Sequence, residues 1–105
     1  MLDKLKEIEF HDSGLINLNI DFDQSKIEII IEKEVGVSRT FLVFEQVSSL
    51  KINEIRNLKQ FYCVEVYDAE FDQIENIFTA KFIFLLGFST PDWMIEFTFK
   101  TVKVT

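Results

Sequence analysis

Ile16-Asn17-Leu18-Asn19-Ile20-Asp21-Phe22 alternates apolar and polar side chains without a break. Period-two alternation sends the two sets to opposite faces of an extended chain, so this stretch is a strand with one face buried. Asp23-Gln24-Ser25 follows with turn chemistry. Ile27, Ile29 and Ile31, set against Glu28 and Glu32, then form a second strand, and the pair reads as a β-hairpin.

Working outward, Glu34-Val35-Gly36-Val37 supplies a turn, and Arg39 to Glu45 is a third strand. Its run Phe41-Leu42-Val43-Phe44 is apolar on both faces, which implies contact on both. From Val47 to Gln60 two readings stay open. Residues 47–52 continue as strand, or a short helix over Glu54 to Lys59, capped by Asn53, covers more of the segment. Tyr62 to Phe71 returns to β composition with a change of parity: Tyr62, Val64 and Val66 share one face, Ala69 and Phe71 the other. One extra residue flips the faces, so a bulge is expected near Tyr67-Asp68. Asp72 to Asn76 reads as a turn, Ile77 to Phe88 as a long strand, and Trp93 to Phe99 as a last one. Lys100 and Lys103 suit an exposed edge, where charge discourages pairing with other chains. Leu2, Leu5 and Ile8 mark a short N-terminal helix. The expectation is a single mainly-β domain over residues 1–105. It has about six strands in one antiparallel, strongly curved sheet or small open barrel, with at most two short helices.

Length and composition bound the rest. The chain has 105 residues, 48% of them hydrophobic, with twelve Phe, three Gly and one Pro. This is enough for one packed core and excludes disordered or low-complexity classes. Eleven Lys and Arg against eighteen Asp and Glu give a net charge of −7, a field that repels nucleic acid and anionic membrane surfaces and attracts a basic protein. The N-terminal stretch carries charge where a signal peptide needs apolar residues, and no run is long enough for a membrane span, so a cytoplasmic setting is expected. Cys63 is the single cysteine, inside Phe61-Tyr62-Cys63-Val64, and reads as a buried, inert thiol. Strands apolar on both faces, such as Phe82 to Phe88, carry more apolar surface than one sheet face covers; a homodimer or an internally closed barrel would bury it.

The residues that carry chemistry are sparse. His11 is the only histidine, in Phe10-His11-Asp12-Ser13-Gly14. Three consecutive residues cannot assemble a Ser-His-Asp triad, so this motif reads as a hydrogen-bonded turn entering the first strand. One His and one distant Cys do not make a zinc site. Asp68, Glu70 and Asp72 have calcium-loop spacing, but Gln73 and Thr79 stand where that loop needs Gly and Glu. Gly14, Gly36 and Gly87 are too scattered to cradle a phosphate. No catalytic residue, cofactor or metal is therefore assigned, and the chain reads as non-enzymatic; a carboxylate-based hydrolase would need two converging acids in a cleft.

Surface remains as the instrument. From Gln60 to Ala80 there are Glu65, Asp68, Glu70, Asp72 and Glu75 and no Lys or Arg. On a strand Asp68, Glu70 and Asp72 share a face, and with Glu75 they form the candidate docking set for a basic partner. The polar face of the first hairpin (Asn17, Asn19, Asp21, Glu28, Glu32) is a further candidate set, and Trp93, after the Thr90-Pro91-Asp92 turn, reads as a core anchor or else as a binding anchor. Phe10-His11-Asp12-Ser13-Gly14-Leu15-Ile16, leading into an alternating strand and hairpin, resembles the opening of a group of small bacterial β-rich proteins. Phe44-Glu45-Gln46-Val47-Ser48-Ser49-Leu50 fits the same layout. Some members of that group are similar to immunity proteins that neutralise toxins. The resemblance covers the first half of the chain, transfers no site residue, and implies a binding function; joined to the acidic field, that function takes its concrete form as inhibition of a basic toxin. The alternative is a structural or assembly component that pairs through a sheet edge.

Overall fold

A computed structural model describes residues 2–33, 38–53, 64–86 and 93–105. A five-residue helix α1 (Leu2–Lys6) precedes strands β1 (Gly14–Asp21), β2 (Lys26–Glu32), β3 (Arg39–Glu45), β4 (Ser48–Ile52), β5 (Val64–Ile74), β6 (Ile77–Leu86), β7 (Trp93–Phe99) and β8 (Thr101–Val104). All belong to one antiparallel sheet in the order β4-β7-β6-β5-β1-β2-β3-β8. The mainly-β, antiparallel expectation holds. The sheet does not close, and it has eight strands rather than about six.

The two extra strands come from corners. After β3 the chain turns at Gln46, held at φ 54°, and the Val47 N–H donates to Ser25 O (2.9 Å); the chain then re-enters as β4 beside β7. After β7 it bends at Lys100, whose N–H donates to Glu45 O (3.2 Å), and continues as β8 beside β3. Each apparent single strand is thus broken in two and serves both ends of the sheet. Residues 48–52 are strand, as one of the two readings had it, while the helix expected over Glu54 to Lys59 lies outside the described residues. So do Cys63 and the turns at Gly36 and Gly87.

The sheet folds over on itself about a narrow joint. Among the described residues β1 and β5 pair only through Gly14 and Glu65, and the group β4-β7-β6-β5 and the group β1-β2-β3-β8 bring their apolar faces together. Phe44 of β3 is fully buried, with its ring 5.0 Å from Phe97 and 4.8 Å from Phe99 of β7. Phe82 of β6 lies between Phe10, Phe44, Phe71, Phe84 and Phe97. Edge-to-face and offset contacts of this kind add to the burial energy of each ring. Leu5 of α1 is buried against the same core, which is why so short a helix persists. Trp93 is 3% exposed, 4.8 Å from Phe84, and is a core residue rather than a surface anchor.

Pairing of β5 with β6 slips by one residue between Val66 and Asp68. This is the bulge that the parity change at Tyr67 required. Beyond it β5 continues to Ile74, and the connection is only Glu75-Asn76, because Ile74 pairs with Ile77. The expected turn over Asp72 to Asn76 is therefore too wide. Asp72 and Gln73 are still paired in the ladder, and their polarity reflects an exposed strand end rather than a turn.

Candidate functional site

Alternation along β5 decides where its acids go. Ala69 and Phe71 pack against the core, so Asp68, Glu70 and Asp72 all project from the opposite, outer face, where each is exposed. Glu75, also exposed, follows at the hairpin tip with φ 57°. The backbone braces two of the acids: Asp68 Oδ1 accepts from the Ala69 N–H (2.9 Å) and Asp72 Oδ1 from the Gln73 N–H (2.8 Å). Gln73 Nε2 donates to Glu75 O (2.9 Å), tying the tip down. The expected docking set is thus brought together on one hairpin.

Neighbouring strands add what the linear sequence hid. Glu70 stands opposite Lys81, Lys81 opposite Glu96, and Glu96 opposite Lys51, a row of alternating charge across β5, β6, β7 and β4. Lys51 Nζ lies 3.9 Å from Glu96 Oε1. Opposite charges directly across a ladder favour the register, though each exposed pair contributes only about 0.2–1 kcal/mol. Lys81 therefore offsets one acid of the face, and Asp68 and Asp72 stand opposite the uncharged Ile83 and Thr79. At the tip Ile74 and Ile77 are 69% and 47% exposed, on the same outer side by strand parity. An exposed apolar pair beside a charged rail is the combination that binding surfaces use. Sequence reading put Ile74 in a turn and so missed it.

The first hairpin's polar face is less uniform. Asn17, Asn19 and Glu28 are exposed, but Glu32 is buried, with Arg39 Nε 3.6 Å from its carboxylate.

His11 and its neighbours form a separate cluster. Phe10 inserts between Phe71 and Phe82 (5.5 and 5.7 Å). Asp12 takes a left-handed conformation, φ 68°, and its N–H donates to Val66 O (2.9 Å), while the Val66 N–H donates to Ser13 O (2.7 Å). Ser13 is buried, and its hydroxyl donates to Glu9 O (2.9 Å), so it does not face the imidazole as a nucleophile would. His11 Nδ1 lies 2.6 Å from Tyr67 O and Nε2 lies 3.5 Å from Asp12 Oδ1. The bond to Tyr67 O raises the His11 pKa above its ordinary value, and Asp12, Asp68 and Glu65 push the same way against a smaller desolvation effect. A cleft of about 440 Å³ beside it is lined by Ile8, Glu9, Asp12 and Asp68 among others. Glu9 is held below the usual carboxylate range by its bond to Lys33 (2.7 Å), the opposite of what a general acid needs.

Among the described residues no group of three or more His, Cys, Asp or Glu side chains is placed to hold a metal ion. The calcium-like spacing of Asp68, Glu70 and Asp72 falls on an extended strand, not a loop. No described helix is long and apolar enough to cross a membrane. No family model matches the chain. No curated protein matches it either.

Proposed function

We propose that this chain is a binding protein that engages a basic partner through the outer face of the β5–β6 hairpin, in its most concrete form as an immunity-type inhibitor of a basic toxin in the cytoplasm, with no chemistry of its own. The observation that carries this reading is the exposed rail of Asp68, Glu70 and Asp72 running into Glu75 and the apolar tip Ile74 and Ile77. The net charge of −7 supplies long-range attraction, the rail aligns cationic side chains, and the isoleucines give a desolvated contact once the partner is seated. The resemblance of the Phe10-to-Ile16 opening to small bacterial β-rich proteins agrees with a binding role.

The test is kinetic. A partner captured from lysate of the source cells is purified, and its association rate is measured at about 50 and about 500 mM salt. Steered association is expected to slow by roughly tenfold or more at the higher salt. The variant D68N/E70Q/D72N/E75Q is expected to associate slowly at both, while I74S/I77S mainly speeds dissociation. Equal rates at both salts, with or without the four acids, reject the reading.

A second reading has its own observation. Among the described residues β4 and β8 each pair on one side only, leaving backbone groups available to an added strand. Association by that route is insensitive to the four neutralising substitutions, so the same experiment separates the two.

A further inference from the structure

Tyr67 is the extra residue of the β5 bulge: Val66 pairs with Phe84 and Asp68 with Ile83, and nothing in β6 is opposite it. A bulge leaves a ladder position unpaired, and the Tyr67 carbonyl is taken up instead by His11 Nδ1 at 2.6 Å. The other ring nitrogen faces the Asp12 carboxylate at 3.5 Å. Nδ1 thus holds an acceptor on β5, and Nε2 faces a negative charge of its own turn. In the imidazolium the Nδ1–H bond to Tyr67 O is charge-assisted and the ring is attracted by the Asp12 carboxylate. The neutral imidazole makes that bond more weakly, in only one of its two tautomers, and feels no such attraction. We propose that His11 is a pH-operated latch, holding the N-terminal segment to the β5 bulge through Tyr67 O more tightly when its ring is doubly protonated than when it is neutral.

The surroundings favour the fastened form. Asp12 from its own turn and Asp68 and Glu65 from β5 all place negative charge near the ring, and the Tyr67 ring lies edge-on at 5.7 Å. Glu9, two residues before His11, is engaged by Lys33. What the latch holds is more than itself: the same segment carries the Asp12–Val66 and Val66–Ser13 backbone bonds and the Phe10 ring. The sign follows from linkage. A histidine whose folded pKa is raised stabilises the folded arrangement fully below its unfolded value, near 6.5, and that contribution is lost as pH rises through the higher folded value. The latch is closed below the unfolded value and loosens as pH rises through the higher folded one.

The experiment follows amide hydrogen exchange at Asp12 and Val66 from about pH 5.5 to 8.5, with the His11 titration read from its ring resonances and global folding from Trp93 fluorescence. Protection, corrected for intrinsic exchange, is expected to fall as pH rises through the His11 midpoint. The fall is at most ten raised to the difference between that midpoint and about 6.5. His11→Gln, which cannot be doubly protonated, is expected to show no such step. Asp12→Asn keeps a residue that tolerates left-handed backbone and is expected to lower the midpoint and shrink the step, so a decision survives even if the first variant fails to fold. A His11 midpoint at or below 6.5, or protection at Asp12 and Val66 that follows the same pH course in the His11→Gln chain, overturns the proposal.

Discussion

Truncating Phe44 to Ala tests whether the two groups of strands meet as described. The ring is fully buried and lies at 5.0 Å from Phe97, 4.8 Å from Phe99 and 6.1 Å from Phe82, all on strands across the fold. Removing it loses up to about 3 kcal/mol of transfer energy. A further cavity penalty applies because rigid rings on three sides cannot collapse into the space, which places the total at about 4 kcal/mol. With a urea dependence of roughly 2 kcal/mol per molar for a domain this size, the unfolding midpoint drops by roughly 2 M. Trp93, the single tryptophan and 3% exposed, reports the transition by fluorescence. Phe41→Ala on the same strand is the control; that ring is 42% exposed, and its loss is expected to cost about 1 kcal/mol or less. A Phe44→Ala/Phe97→Ala cycle should give a coupling of about 0.5–1.5 kcal/mol. A cost for Phe44→Ala as small as that of Phe41→Ala, or strictly additive double substitution, would refute the folded-over packing.

Three smaller changes probe the motif and the hairpin tip, each by thermal or urea unfolding. Ser13→Ala removes a partly buried hydroxyl bond to the Glu9 carbonyl and is expected to cost about 1 kcal/mol; no loss would mean that the hydroxyl is idle. Gly14→Ala places a methyl group 3.6 Å from Glu32 O, an ordinary contact, so stability should stay within about 1 kcal/mol and rise if the stiffer unfolded chain dominates. Glu75→Gly relieves a left-handed residue at φ 57° and should add about 0.5–1 kcal/mol; a fall in stability would indicate that the Glu75 side chain, rather than its backbone, holds the tip.

Local patterning carried most of the architecture. Alternation placed β1 and β2, and the parity change after Val66 announced the β5 bulge. Within Ile16 to Phe22, however, only Leu18 and Ile20 pack on the core. Ile16 is the extra residue of a second bulge, between Leu15 and Asn17, and is 41% exposed; Phe22 lies past the strand end and is 79% exposed. Corners were illegible to the same patterning. A chain that bends at Gln46 or Lys100 keeps its inner and outer faces, so the hydropathy pattern runs on while the hydrogen-bonding partner changes from β2 and β8 to β7, or from β6 and β4 to β3. Long-range pairing, not periodicity, divides β3 from β4 and β7 from β8. The Asp72 to Asn76 segment misled through composition, since polar residues at an exposed strand end resemble a turn until Ile74 is seen paired with Ile77.

The candidate face shows the same division in its chemistry. That Asp68, Glu70 and Asp72 share a side follows from strand periodicity and was readable. That Lys81 faces Glu70, and that Glu96 and Lys51 continue the row, depends on registers across four strands, and no window of sequence contains them together. The consequence is physical. A rail of three uncompensated acids would repel itself and attract any cation, whereas a rail with Lys81 at its centre concentrates its negative potential at the two ends, near Asp68 and near Asp72 and Glu75. Such a surface discriminates by spacing, because a partner gains most when two basic groups are separated by about the span from residue 68 to residue 72, roughly 13 Å of extended chain. Lys81→Gln should then speed encounter with a basic partner by raising the field while relaxing its choice among basic partners of different charge spacing. If the substitution slowed association, Lys81 would itself be a contact, and the face would have to be read as a mixed-charge interface.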